Sequence, residues 1–151
     1  MQSTQKPVTS LVTPARTLRA AASHLERHGW IQHAYYDLTS TVFTPAACMV
    51  GAIAMVCYGG PVDCPAHLFD EPGFDEFEAA LTVLDAYVSR RGLAPTAYDF
   101  NDAKGRTAEQ VIHVLKDAAD EWERWLPEAT ARLHDLLREA SNVCLLRGGA
   151  A

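Results

Sequence analysis

The stretch Ala46-Ala47-Cys48-Met49-Val50-Gly51-Ala52-Ile53-Ala54-Met55-Val56-Cys57 has no polar side. A helix that is apolar all round belongs inside a protein, enclosed by other elements. Even with Tyr58 the run falls short of the roughly 20 residues that cross a bilayer, so it predicts an interior rod. Thr44-Pro45 ahead of it is an opening signal, because Thr caps an orphan amide and Pro at the first helical position loses no bond. Gly59-Gly60-Pro61 closes it. The predicted central helix therefore spans 45–58, burying Met49, Val50, Ile53 and Val56, and Gly51 leaves room for a neighbouring backbone to come close.

Outward from this rod, the chain reads as its shelter. Thr13-Pro14 opens a helix over 14–28 with Leu18, Ala21, Ala22 and Leu25 on one face, and Gly29 ends it in a left-handed turn with Trp30 folding back. Phe74, Phe77, Leu81, Leu84 and Val88 recur at three- and four-residue steps, predicting a helix over 74–91 that starts acidic and ends basic, as the helix dipole favours. Thr107-Ala108-Glu109-Gln110 fits a capping box, and the helix behind it, 107–125, is expected to bury Val111, Leu115, Ala118, Trp122 and Trp125. Pro127 predicts a break or a kink, after which 128–146 forms a last helix on Leu133, Leu136, Leu137 and Ala140, with Val143 as a further candidate. The segment 30–36 reads as a very short strand or an ordered loop, and 97–100 as a very short strand or simply extended chain. The sum is a mainly α fold, a bundle of about five helices in one domain over 13–147, with a lead-in at 1–12 and a tail at 148–151.

The chain has 151 residues, of which 48% are apolar and 21% charged, close to globular averages, and its formal net charge is -6. That balance disfavours nucleic acid, whose binding surfaces need clustered Lys and Arg. No run predicts a membrane span, and the first residues lack the apolar core of a secretion signal. A cytoplasmic protein is expected, with its four cysteines reduced.

Four groups of residues could carry chemistry. Cys48 lies at the start of the central helix, where partial positive charge favours a thiolate. As a nucleophile it would need a base, by type His33 or His67, and an orienting Asn101 or Asp102; a cysteine among Ala, Met and Val is equally a small core residue. In the loop 101–107, Lys104 and Arg106 flank Gly105 ahead of Thr107 at a helix N-terminus, an arrangement that suits an anion. Trp30, Tyr35 and Tyr36 combine apolar bodies with polar tips, which suits a pocket or an interface, whereas Trp122 and Trp125 suit core or a dimer seam. The pair His24 and His28, and the set Cys57, Cys64 and His67, lack the spacings of a zinc site, so no metal is assigned.

Leu25-Glu26-Arg27-His28-Gly29-Trp30-Ile31-Gln32, Tyr35-Tyr36, Ala46 to Ile53, and Asn101 to Thr107 followed by Glu109 and Val111-Ile112 together resemble a family of small uncharacterised proteins associated with actinobacteria and their phages. The resemblance covers roughly residues 14–120. It implies one compact intracellular domain, with recurring polar residues near Trp30, Cys48 and the 101–107 loop, and brings no activity, substrate or cofactor. The functional expectation is an accessory or regulatory module that binds a protein partner or a small anionic ligand, with a homodimer as a further option and no cofactor. The alternative is a thiol-dependent hydrolase or transferase built on Cys48.

Overall fold

A computed structural model describes residues 13–147, with side chains through residue 143. Its helices are α1 (Thr13–His28), α2 (Met49–Tyr58), α3 (Phe74–Arg90), α4 (Ala97–Asp102) and α5 (Ala108–Arg147), with a short 3-10 turn at Pro65–His67. The fold is mainly α, and no sheet forms among the described residues. The sequence expectations for 1–12 and 148–151 lie outside those residues.

α2 is the rod. Met49 through Met55 are all buried, enclosed by α1 and α3, with α4 and α5 also in contact. Val56 departs from expectation at 38% exposed, because it belongs to the last turn, where the helix runs out towards Gly59 and solvent. The rod is also shorter than 45–58. Thr44-Pro45 does not open it; the N-cap is Cys48, in extended backbone conformation, whose Sγ accepts from the Gly51 amide at 3.2 Å. Pro45 is instead buried, and its carbonyl accepts from His24 Nε2 of α1 at 3.0 Å. The cap moves because Ala46 and Ala47 are held in extended backbone by hydrogen bonds to Gly29 and Asp37.

Gly51 has the role expected of it. A Cβ added there would lie 2.2 Å from the Tyr35 carbonyl oxygen, so the rod accepts the backbone of the 30–37 loop where any other residue would exclude it.

α1 and α5 make the largest shared surface. Leu18, Ala21, Ala22 and Leu25 meet Val111, Leu115, Ala118 and Ala119 in one core. Outside that core, Arg19 binds both oxygens of Glu123 at 2.6 and 2.8 Å and Asp120 at 2.6 Å. α3 supplies Phe77, Ala80, Leu84 and Val88. Trp125, expected to be buried, is instead exposed at the edge of the core, with the Arg90 guanidinium 4.8 Å over its ring.

Of the two readings open for segment 30–36, the ordered loop holds, with isolated bridges from Trp30 and Tyr36 to Ala47. Two local expectations are corrected. Segment 97–100 belongs to α4: Thr96 Oγ1 accepts from the Asp99 amide at 3.2 Å and donates to Asp99 Oδ2 at 2.7 Å, and Asp85 of α3 accepts from the Ala97 amide at 2.7 Å. The alternation of Ala97, Tyr98, Asp99 and Phe100 was outweighed by this cap. The predicted helices 107–125 and 128–146 are one helix, because α5 runs through Pro127. Proline there costs one backbone hydrogen bond, that of the Glu123 carbonyl, which solvent can replace on so exposed a segment; the restriction on the preceding residue is a bias and not a stop.

Candidate functional site

The site grows from the N-terminus of α2. The chain leaves α1 through Gly29, loops out, and returns alongside 46–48: Ile31 donates to Ala47, Asp37 donates to Ala46, and the Cys48 amide donates to the Tyr35 carbonyl at 3.0 Å. His33 sits in this loop with a left-handed backbone (φ 65), a conformation a non-glycine residue adopts only when its surroundings fix it. The fixing group is Asp102, whose Oδ1 accepts from the His33 amide at 3.0 Å.

Asn101, only 1% exposed, ties the three segments together. Its Oδ1 accepts from Trp30 Nε1 at 2.7 Å and from the Met49 amide, an orphan donor of the first turn of α2, at 3.0 Å. Its Nδ2 donates to the Ile31 carbonyl at 3.2 Å and to Asp102 Oδ1 at 2.8 Å. Gln32 adds two bonds from its Nε2, to the carbonyls of Asn101 and Ala103. A buried amide must have all its groups met, and these four contacts meet those of Asn101.

The loop, the start of α2 and α4 leave a pocket of about 270 Å³ lined by His33, Ala34, Tyr35, Cys48, Val50, Tyr98, Asn101 and Asp102. Tyr35 and Tyr98 stand edge to face with their hydroxyls 3.2 Å apart. Burial, then the bond to Tyr35, pushes the Tyr98 phenol up, so at neutral pH it stays a donor. Asp102 Oδ2 lies 3.7 Å from His33 Nδ1. Among the described residues the only formal charge on the lining is thus the Asp102 carboxylate, beside the His33 imidazole, and neither Lys nor Arg contributes.

Cys48, proposed from its place at a helix start, and His33, Asn101 and Asp102, proposed from residue type, therefore line one cavity, although they come from distant parts of the chain. His67 does not join them; it closes the 3-10 turn, with its ring tilted against that of Phe69 at 6.4 Å. Asn101 is spent as a structural tie. Cys48 is 5% exposed, and burial pushes its thiol up, against the smaller lowering pull of the Gly51 and Val50 amides. Where a helix N-terminus was expected to favour thiolate, desolvation wins.

Of the ligand-binding candidates, Tyr35 lines the pocket. Trp30 braces it through Asn101, and Tyr36 is buried behind it with its hydroxyl accepting from the Val62 amide at 3.3 Å. Lys104, Arg106 and Thr107 lie outside the lining. Arg106 donates from Nε to the Phe100 carbonyl at 2.7 Å and lies 3.6 Å over the Phe100 ring. Thr107 and Gln110 exchange bonds as the expected capping box, which occupies amides that an anion would use. Tyr98 was missed because α4 was read as extended; Thr96-x-x-Asp99 was the signal that would have found it.

For metals, His24 is buried on Pro45 and its ring lies 4.8 Å from that of His28. Burial holds its pKa below the ordinary value. Cys57 is half-buried with its thiol pushed up to about 12, and Cys64 is exposed. Among the described residues no three His, Cys, Asp or Glu side chains gather as a metal would require. None of the described helices is long and apolar enough to cross a membrane.

No curated protein and no solved structure is significantly similar to the chain. A family model does match it over residues 9–121, a span that takes in α1 to α4, the whole pocket and the packed first part of α5. The loop, rod and α4 built around Asn101 thus lie wholly inside the matched region, and the chain belongs to the family of unknown function DUF6197.

Proposed function

We propose that the chain is a non-enzymatic binding module whose pocket receives a neutral or cationic hydrogen-bonding group, presented by a small molecule or by a lysine side chain of a partner protein. The observation that carries this reading is the convergence of Tyr35, Tyr98, His33 and Asp102 on one cavity with a carboxylate and no cation. A primary amine brings several donors and a positive charge; Asp102 and the two phenol oxygens can accept from it, and Val50 and the tyrosine rings cover its alkyl stem. A small anionic ligand is served less well. It would face Asp102 inside the pocket and, outside it, an Arg106 already engaged with Phe100.

The test is titration with n-butylamine and, separately, inorganic phosphate, followed by NMR shifts of the His33, Tyr35 and Tyr98 rings. Butylamine should move all three, and Asp102→Asn, which keeps the Oδ1 acceptor but removes the charge, should abolish the response. Phosphate binding at Lys104 or Arg106 with no response to the amine would sink the reading in favour of the anionic ligand.

The thiol-dependent hydrolase or transferase is favoured by one observation, that Cys48, His33 and Asp102 share the cavity. A buried thiol with a raised pKa is a poor nucleophile. The binding reading expects Cys48 to resist iodoacetamide in the native protein near neutral pH, and its rapid alkylation would favour the enzyme.

A further inference from the structure

Beyond Trp125, α5 leaves the body and carries an apolar stripe with no partner among the described residues. Leu133 is 55% exposed, Leu136 62% and Val143 54%. Leu126, Ala129, Leu133, Leu136, Ala140 and Val143 follow one another at steps of three and four, the spacing of a two-stranded coiled-coil seam. The same phase, traced backwards, runs through Trp122, Ala119 and Leu115, which face the core. The projecting part therefore continues a packing surface that α1 and α3 cover only up to its middle. A lone helix of that length is marginal in water without a covered face.

We propose that a second copy of this chain covers the stripe, in an antiparallel arrangement with its two-fold axis near His134 and Asp135. Charge complementarity selects the occupant and its direction. In the antiparallel register the layers become Leu126 against Val143, Ala129 against Ala140 and Leu133 against Leu136, each occurring twice by symmetry. Residues flanking one side of the seam then bring Arg132 opposite Glu139 of the second copy, and Glu139 opposite its Arg132. On the other flank Thr130 meets Leu137. A parallel pair would set Arg132 against Leu137 and leave Glu139 without an opposite charge. The large, small, large order of layers is matched in the antiparallel pair, with alanine meeting alanine where the helices come closest. The two bodies emerge at opposite ends, their Trp125 residues separated along the axis by about 28 Å at about 1.5 Å per residue. The stripe lies beyond residue 121, where the family match ends.

Sedimentation equilibrium on the full chain should give a dimer at micromolar concentration. Leu133→Glu should weaken it by about 100-fold or more while the near-ultraviolet dichroism of the body stays unchanged. Arg132→Glu and Glu139→Arg should each weaken it by about 3- to 10-fold, from two symmetric pairs of exposed charge, and the double variant should recover most of the loss. A monomer at these concentrations overturns the proposal; deletion of residues 1–12 or an added partner protein would then identify the true cover. A dimer whose charge variants are not rescued by their combination overturns the antiparallel register.

Discussion

The two parts of α5 have the same hydrophobic spacing and opposite surroundings. In the first part Val111, Leu115, Ala118 and Ala119 are closed in by α1 and α3, whereas in the second Leu133, Leu136 and Leu137 stand in solvent. Periodicity states that a helix has a face to cover, but not whether the cover comes from the same chain. The contrast also separates two kinds of substitution, those that remove part of a filled core and those that change a surface awaiting a partner.

The body should be the less forgiving part, and Gly51→Ala is the severest case. Its Cβ would meet the Tyr35 carbonyl at 2.2 Å, and neither backbone can withdraw without opening the loop. A loss of about 4 kcal/mol or more, at the upper end for single substitutions, should appear in urea unfolding; an unchanged midpoint would mean that the loop does not rest on α2. Next, Leu115→Ala should cost about 3 kcal/mol as a buried leucine truncation, while Leu133→Ala, measured on the monomer, should stay within about 0.5 kcal/mol. Equal losses would erase the contrast between the two parts of α5.

Asn101→Ala should cost about 2–3 kcal/mol, since the Met49 amide and Trp30 Nε1 lose their acceptor. The ring signals of His33 and Tyr35 should broaden in the same variant. Sharp, unshifted rings would show that the pocket does not depend on this amide.

The smallest effect is a pH dependence confined to the body. His24 is held neutral by burial, its pKa below the ordinary value, so the unfolded chain binds its proton more readily. The stability this contributes is fully present above about pH 6.5 and is lost as the pH falls through the depressed folded value. His24→Gln should flatten the decline in unfolding midpoint between about pH 7 and pH 5. A slope identical to that of the unaltered protein would assign the decline to other groups.

Much of the fold was legible in local patterns. The apolar run around Gly51 announced an interior helix, Gly29 and Thr107 marked boundaries that depend on neighbouring residues, and the glycine's close approach followed from its lack of a side chain. Three expectations failed where the surroundings of the segment decided the outcome. Cys48 displaced Thr44 as the cap because backbone pairing with Gly29 and Asp37 holds 46–47 extended. Tyr98 turned out helical under a cap from Thr96 assisted by Asp85 of α3, and Pro127 was absorbed by a helix exposed enough to hydrate its orphan carbonyl. Arg106 was placed in an anion loop by its neighbours in sequence, but in space Phe100 claims it through ring and carbonyl together.

The sequence by itself determined that the protein is helical, which segment lies at its centre and which faces need cover, because spacing along a helix sets the direction of every side chain. Tertiary structure alone decided that His33, Cys48, Tyr98 and Asp102 share a cavity and that the thiol is held protonated. Proximity between remote segments depends on how helices cross, and the protonation state of a buried group depends on the water it has lost; neither quantity is written in the order of the residues.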